Sequence, residues 1–186
     1  MFSYLTRIFI SFRPPSLSMI RPILLYGDPR LREKCADIAE ITETEHRILD
    51  DMEDTMRHHA CVGLSAPQIG ECRRLFIVNA AGVFIRGANP EILSEGAPAE
   101  DNEGSPCIPG IQRPVRRPSK ITCRYLDESG ETVTRELKGL AARAFCHEKD
   151  HHEGILFIDR LKPVQQKLLR RDLERIASQT MITDEE

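Results

Sequence analysis

The 186-residue sequence lacks three features that would each indicate a particular class of protein. It has no uninterrupted apolar run long enough to span a bilayer, so no membrane partner is expected. Its formal net charge is only −3, so the bulk charge gives no sign of direct nucleic-acid readout. Its six cysteines contain no C-x-x-C pair. We therefore expect reduced thiols in a cytoplasmic compartment, not a secreted disulfide framework.

The composition that remains is that of one compact domain. Hydrophobic residues make up 40% of the chain and charged residues 30%, and no repeat or low-complexity block interrupts them. A local basic run is formed by Arg113, Arg116, Arg117 and Lys120. Four charges fit a solvated face or substrate contacts better than a nucleic-acid patch. We expect a monomer.

Residues 1–18 differ from the rest of the chain. They contain no acidic residue, two arginines (Arg7 and Arg13) and several serines among apolar positions. This composition fits an organellar transit peptide, and the alternative is that translation starts at Met19. The expected organisation is an N-terminal extension at 1–18, a single catalytic domain at 19–179 and an acidic tail at 180–186.

Sequence patterns predict clustered strands and three helices. Thr42 with Glu45 forms a capping-box pattern that opens a helix running to about His59, with Ile48, Leu49, Met52 and Met56 along one face. A helix is also predicted at 140–152, with Leu140 on its inward-facing stripe, and another begins beside Pro163. The core face expected for this last helix consists of Val164, Leu168, Leu169, Leu173 and Ile176. Extended segments are predicted at residues 20–25, 75–78, 90–93, 121–126 and 132–137, the last two as a hairpin, with a loop at 94–106. Because strands do not alternate regularly with helices, the expected fold class is α+β.

The most informative local pattern is H-E-x-x-H at residues 147–151. On a helix, His147 and His151 lie on one face and can reach a single metal ion, with Glu148 beside them to move a proton. A catalytic metal also needs a third protein ligand. The long zinc-protease pattern would place a histidine where Phe157 stands, and Glu174 is the only candidate for a downstream glutamate ligand. A metalloprotease of altered specificity is therefore only a secondary alternative.

Two further segments extend the pattern. Residues 63–70 read G-L-S-A-P-Q-I-G, residues 103–110 read E-G-S-P-C-I-P-G, and residues 146–154 read C-H-E-K-D-H-H-E-G. In order and spacing these resemble the three motifs of peptide deformylases, usually G-x-G-L-A-A-x-Q-x-G, E-G-C-L-S-x-P-G and Q-H-E-x-D-H-L-x-G. The resemblance runs from about Met19 to Ile176.

The resemblance implies small antiparallel sheets around the H-E-x-x-H helix, followed by a C-terminal helix. It implies a metal-dependent hydrolase that removes the N-formyl group from the N-terminal methionine of newly made polypeptides, with nascent chains at the ribosome as partners. One divalent ion, Fe(II) or Zn(II), would be bound by His147 and His151. The implied catalytic residues are Glu148 and Gln68. Substrate contacts are expected from Gly63, Leu64, Cys107 and Arg113.

The second motif departs from the family pattern. Ser105 stands at the position of the family's cysteine ligand, and a hydroxyl is a poor ligand for these metals. Pro106 replaces a leucine whose backbone N–H would stabilise the oxyanion. If the segment is extended, Cys107 faces the same side as Ser105 and could become the ligand if the strand slid by two residues. The alternative is that Cys107 is a buried free cysteine that binds no metal. These changes predict reduced activity, or an impaired relative that binds nascent or formylated peptides.

A buried glutamate beside a metal site is costly unless it is paired. The sequence therefore predicts an ion pair between Glu103 and Arg117.

Overall fold

A computed structural model describes residues 18–183, and side chains through residue 179. Residues 1–17 and 184–186 lie outside the described part, and with them nearly all of the predicted N-terminal extension and half of the acidic tail. The strands are β1 (Gly63–Ser65), β2 (Leu75–Ala80), β3 (Val83–Glu95), β4 (Pro98–Gly104), β5 (Gln112–Pro118), β6 (Lys120–Asp127) and β7 (Thr132–Lys138). The helices are α1 (Glu43–His58), α2 (Gly139–His152) and α3 (Pro163–Thr183).

All paired strands are antiparallel, as the α+β prediction required. Five strands form one sheet in the order β1-β2-β3-β6-β7, which makes β1 an edge strand. The predicted hairpin is present as β6 and β7, which pair from Lys120–Lys138 to Leu126–Thr132. Strands β4 and β5 form a separate two-stranded sheet. Two small sheets therefore flank the helix that carries the histidines.

The predicted loop at 94–106 is wrong. Strand β3 continues to Glu95, and β4 occupies most of the remainder. In β4 only Glu103 is buried, so its sequence lacks the apolar alternation that marks a strand. The strand is held instead by seven consecutive residue pairs with β5, from Pro98–Pro118 to Gly104–Gln112. Pairing with a partner decides its conformation, and local composition does not.

Helix α1 follows the prediction closely. The Thr42 side chain accepts a hydrogen bond from Thr44 N, and the Glu45 carboxylate accepts one from Thr42 N, which completes the capping box. The apolar stripe is buried as expected, and it packs against β1 and β2; its members are Ile48, Leu49, Met52 and Met56. The N-terminal half of the chain thereby covers one face of the sheet.

Helix α3 begins at Pro163 as predicted, but its core face is narrower than expected. Leu169, Leu173 and Ile176 are buried. Val164 and Leu168 are 71% and 76% exposed, so their assignment to the core was wrong. The spacing of the three buried residues defines a stripe that the other two positions miss. Among residues 18–183, no helix is both long enough and apolar enough to cross a membrane.

Helix α2 lies against the main sheet through small residues. Ala141, Ala142 and Ala144 are buried, and short side chains let the helix approach the strands closely. Phe145 anchors this contact, with its ring centroid 5.1 Å from that of Phe76 in an edge-to-face arrangement. This packing fixes the rotation of α2, and with it the direction in which the residues of the next turn point.

Candidate metal centre and active site

The two histidines of the H-E-x-x-H pattern lie side by side on α2. His147 and His151 are both buried, and their ring centroids are 5.0 Å apart. Phe157 stands where the long zinc-protease pattern has its third histidine, and its ring stacks on His147 at a centroid distance of 6.3 Å. The aromatic ring thus supports a candidate ligand by packing.

His151 has the properties of a metal ligand. Neither of its ring nitrogens makes a hydrogen bond to any residue between 18 and 183, although both are buried. Burial holds its pKa well below the usual value, and the neighbouring His147 adds to the effect. The imidazole is therefore neutral and carries an available lone pair, which is the form that binds a metal ion.

His147 is oriented by a carboxylate. Its Nδ1 lies 3.2 Å from Glu103 Oε2, which leaves Nε2 as the nitrogen available to a ligand. Burial disfavours the charged ring, but the Glu103 hydrogen bond and the Glu148 charge outweigh it and raise the pKa of His147. Glu103 therefore holds the His147 ring through Nδ1, and Nε2 remains to bind a ligand.

Glu148 is buried beside the histidines, and its Oε2 makes no hydrogen bond to any described residue. Burial raises its pKa to about 7. Gly63 makes room for it: a Cβ atom at position 63 would lie 2.4 Å from Glu148 Oε1. A carboxyl group with a pKa near neutrality can both accept and return a proton, provided that it is held in place.

The orientation of the Gln68 amide follows from its partners. Its Oε1 accepts hydrogen bonds from Ser65 N at 2.8 Å and Ser65 Oγ at 2.9 Å. Because a backbone N–H can only donate, the atom facing it must be the amide oxygen. The Nε2 group therefore points towards the second motif, 3.4 Å from Ser105 Oγ and 3.5 Å from Cys107 Sγ. This fixed dipole is directed into the site.

The second motif is a turn, so the extended geometry assumed for it was wrong. Strand β4 ends at Gly104, and Ile108 N donates to Ser105 O at 2.9 Å, which closes a β-turn with Pro106 in its second position. Proline favours this place because its φ angle matches the turn. Cys107 is fully buried. Sliding a strand by two residues therefore cannot bring its thiol to the place of Ser105.

Glu103 lies at the centre of a buried ion network. Its carboxylate accepts two hydrogen bonds from Arg117, at 2.9 and 3.0 Å, and one from Arg143 at 2.6 Å. The predicted Glu103–Arg117 pair is thereby confirmed. Although burial opposes ionisation, hydrogen bonds from His147 and Arg117 lower the pKa of Glu103 to about 2. Arg117 also donates to Asp150 on α2 at 2.5 Å, so the network joins the two-stranded sheet to the histidine helix.

A cavity of about 120 Å³ opens between the edge strand and α2. Its lining combines reactive and apolar groups: Cys61, Val62, Gly63, Asn102, Glu103, Gly104, Pro106, Leu140, Arg143, Ala144, His147 and Glu148. A cavity of about 690 Å³ lies elsewhere, between α3 and the segment around Asp28, and contains none of the predicted site residues. The smaller cavity is therefore the candidate active site, although the other cavity has the greater volume.

The sequence from residue 20 to 167 matches the family model described as polypeptide deformylase. The chain belongs to the polypeptide deformylase family. Members of this family are hydrolases that use a single divalent metal ion to remove the N-formyl group from N-terminal methionine.

Curated relatives and solved structures agree with this membership. The peptide deformylase of Clostridium botulinum is 43% identical over 141 residues, covering 76% of this chain and 96% of the relative. That of Thermotoga neapolitana is 38% identical over 157 residues, covering 83% and 95%. The crystal structure of the Thermus thermophilus peptide deformylase superposes with a TM-score of 0.81 at 36% identity, covering 87% of this chain and 99% of that one.

Most of the predicted deformylase residues meet at one place. His147, Glu148 and Gly63 line the small cavity, while Gln68, Ser105 and Cys107 contact one another beside it. Leu64 is buried in β1, where it pairs with Ile77 of β2, so it is not placed to contact a ligand.

Arg113 does not join them. Its guanidinium donates to Gln112 O at 2.7 Å, and the residue is absent from the cavity lining. Leu140, expected to point inward, is 46% exposed at the rim.

The sequence interpretation missed Arg143. This residue lies one helical turn before His147, binds Glu103 and reaches Val115 O at 2.9 Å. The four-residue spacing to His147 was the signal that could have found it, since both must lie on one helix face.

Proposed function

We propose that this chain removes the N-formyl group from the N-terminal formyl-methionine of newly made polypeptides, and that Glu148, His147 and His151 carry the reaction. The observation that supports the proposal best is His151: a buried, neutral imidazole whose two nitrogens have no hydrogen-bond partner among the described residues. Such a group is costly to keep in a folded protein unless it binds something.

The donor set fits one divalent cation. His147 and His151 would hold it. No group of three or more His, Cys, Asp or Glu side chains among the described residues is arranged to hold a metal, so Cys107 does not complete the set in the present turn. Ser105 is therefore proposed as the third ligand, and Cys107 would replace it only if the turn rearranged. Fe(II) or Zn(II) suits two imidazoles. When bound, the ion would act as a Lewis acid on the formyl group and on water.

Glu148 is proposed as the proton carrier. In its ionised form the carboxylate takes a proton from the attacking water, and in its protonated form it gives that proton to the departing amine. A pKa near 7 in the metal-free protein makes both forms accessible. A bound cation would favour the ionised form, in which the cycle begins.

Gln68 and β1 are proposed to position the substrate. Gln68 Nε2 can donate to the formyl oxygen because its own carbonyl is already engaged by Ser65. Just before β1, Val62 O accepts a hydrogen bond from Asn79 N of β2, and within β1 Ser65 N donates to Gln68 Oε1 and not to β2. Because backbone groups of successive residues in an antiparallel strand point to opposite sides, Gly63 directs its N–H and C=O to the open sheet edge. An extended peptide can pair there, with its methionine side chain in the neighbouring cavity.

The second candidate function is a deformylase-like protein with impaired catalysis that binds nascent or formylated peptides. The identity of residues 105 and 106 favours it. Ser105 offers an alcohol in place of a thiolate, and Pro106 has no N–H to donate to an oxyanion. Binding through β1 and the cavity would persist after either loss.

The remaining parts of the proposal concern the setting of the protein. We propose a monomer with one catalytic domain at 19–179, acting in the cytoplasm on nascent chains at the ribosome. An organellar location is the alternative if residues 1–18 are a transit peptide. Arg113 is retained as a candidate contact for a longer peptide, since its side chain is only partly buried on β5.

The test is metal content together with deformylation. Protein purified anaerobically without added metal should contain one equivalent of iron or zinc, and it should release formate from a formyl-Met peptide. His147→Ala and His151→Ala should each lose the metal and the activity. The matched control is His58→Ala, because His58 is an exposed residue at the end of α1. Metal-free wild-type protein would contradict the hydrolase proposal, and metal-loaded protein that binds formyl peptides without cleaving them would favour the second candidate.

A further inference from the structure

Two cysteines outside the candidate site lie next to each other. Cys35 and Cys72 are 37 positions apart in the sequence, yet their Sγ atoms are 3.0 Å apart. Cys35 is buried and Cys72 is exposed. A disulfide bond joins its sulfurs at about 2.05 Å. Bond formation therefore requires the two sulfurs to close by only about 1 Å.

The backbone around the pair is fixed on both sides. Ala36 and Arg73, which follow the two cysteines, form a parallel β-bridge. Cys35 N also donates to His152 O at 2.9 Å. The buried Arg74 guanidinium pairs with Asp37 at 3.0 Å, which joins the two cysteine segments, and with Glu153 at the end of α2 at 2.7 Å. These contacts hold the thiols in register without any covalent link.

We propose that Cys35 and Cys72 are a modification site, at which a low-molecular-weight disulfide such as oxidised glutathione converts the pair reversibly into an intramolecular disulfide. Cys72 is accessible to the oxidant, and its thiolate attacks one glutathione sulfur, which releases one glutathione thiolate. Cys35 then attacks the Cys72 sulfur and releases the second glutathione. Two electrons pass from the protein thiols to the glutathione disulfide, and two protons leave the protein.

The order of attack follows from exposure. Cys35 lies beneath the surface, and burial, reinforced by the Cys72 contact, raises its pKa to about 12. It is therefore a poor first nucleophile but an adjacent second one. No other pair of cysteine sulfurs lies within hydrogen-bonding distance in the part of the chain that the structure describes.

The cross-link would close a loop that contains α1, β1 and Gln68. At one end of this loop, Cys35 N is already hydrogen-bonded to His152 O in the last turn of α2, next to His151. Cross-linking would restrict the unfolded chain and fasten the first motif to the histidine helix. For a loop of this length we expect the melting temperature to rise by about 5–15 °C on oxidation.

The test treats metal-loaded full-length protein with oxidised glutathione, followed by intact mass, thiol titration and peptide mapping. Wild type should become two hydrogen atoms lighter, lose two titratable thiols and yield one Cys35–Cys72 linked peptide. Its melting temperature should rise and return after reduction with dithiothreitol. Cys72→Ser should show none of these changes, and Cys35→Ser should stop at a glutathione adduct on Cys72. Cys61→Ser is the matched control and should behave as wild type.

Three results would overturn the proposal. Wild type that keeps all its thiols under oxidation lacks a reactive pair. Wild type that accumulates a stable glutathione adduct on Cys72 has a reactive surface thiol but no second attack. A linked peptide that joins other cysteines assigns the chemistry elsewhere. Because Cys72 is exposed, Cys72→Ser should fold normally, so the comparison remains valid even if the buried Cys35→Ser variant is unstable.

Discussion

Helix α2 and the segment from Glu103 to Gly110 supply opposite sides of the candidate site, and they retain the family's chemistry to different degrees. The helix presents both histidines and Glu148 in the usual pattern. The segment retains Glu103, whose carboxylate joins Arg117, Arg143 and His147, but two positions later Ser105 stands where the usual family motif has a cysteine. The ion network around Glu103 is therefore separable from the third-ligand position at Ser105. The network can be retained while the residue at that position changes.

The largest effect is expected on the helix side. Glu148→Gln keeps the size of the side chain but removes its capacity to carry a proton. Turnover on a formyl-Met peptide should fall by about 10²–10⁴-fold. Metal content, measured on the same preparation, should remain at the wild-type value because Glu148 is not a ligand. Turnover close to that of wild type would show that another residue carries the proton and that α2 does not supply this part of the chemistry.

The segment side should be open to repair. Ser105→Cys restores a thiolate ligand, and adding Pro106→Leu restores a backbone N–H. We expect the single variant to bind metal more tightly and the double variant to be faster by a further factor of about 10²–10³, the usual effect of one oxyanion donor. Steady-state rates and metal affinity, measured side by side, separate the two contributions. If wild type equals the double variant in both, these substitutions are not handicaps.

The ion network should carry stability. Glu103→Gln leaves Arg143 and Arg117 buried beside a neutral amide, and losing one partner of a buried pair typically costs about 3–5 kcal/mol. Urea unfolding of the metal-free proteins measures the loss. Glu91→Gln is the matched control, because the Glu91–Arg124 pair is exposed on both sides and should contribute at most about 1 kcal/mol. Equal losses in the two variants would mean that Glu103 has no special structural role.

The smallest effect is expected at Cys107. Its thiol is enclosed in the turn and contacts Gln68, and we expect Cys107→Ala to retain the metal of the wild type. Removal of one buried sulfur should cost about 1 kcal/mol of unfolding free energy. Elemental analysis measures the metal content of the variant. Loss of the metal would show that Cys107 is the third ligand, two positions after the place of the family's cysteine.

The parts of the site that could be predicted from sequence are those set by local spacing. The four-residue separation of His147 and His151 is a property of any helix, and the Thr42–Glu45 capping box is complete within one turn. The Glu103–Arg117 pair could be predicted because a buried charge requires a partner. The first two depend on local spacing alone, whereas the ion pair joins the neighbouring strands β4 and β5.

The parts that could not be predicted depend on pairing across the chain. Strand β4 has no strand-like pattern of its own and exists because β5 lies beside it. The Ser105 segment was assumed to be extended, whereas the hydrogen bond from Ile108 N to Ser105 O closes a turn there. Val164 and Leu168 fit an apolar stripe by spacing, but the packed face of α3 is too narrow to include them.

The contact between Gly63 and Glu148 constrains how this site can evolve or be transplanted. An added methyl group at position 63 would lie 2.4 Å from Glu148 Oε1, so the carboxylate would have to move. The first motif and the histidine helix, 85 positions apart, are therefore in direct steric contact. A designer who grafts the H-E-x-x-H helix into another scaffold must therefore also supply a strand with a glycine facing the glutamate.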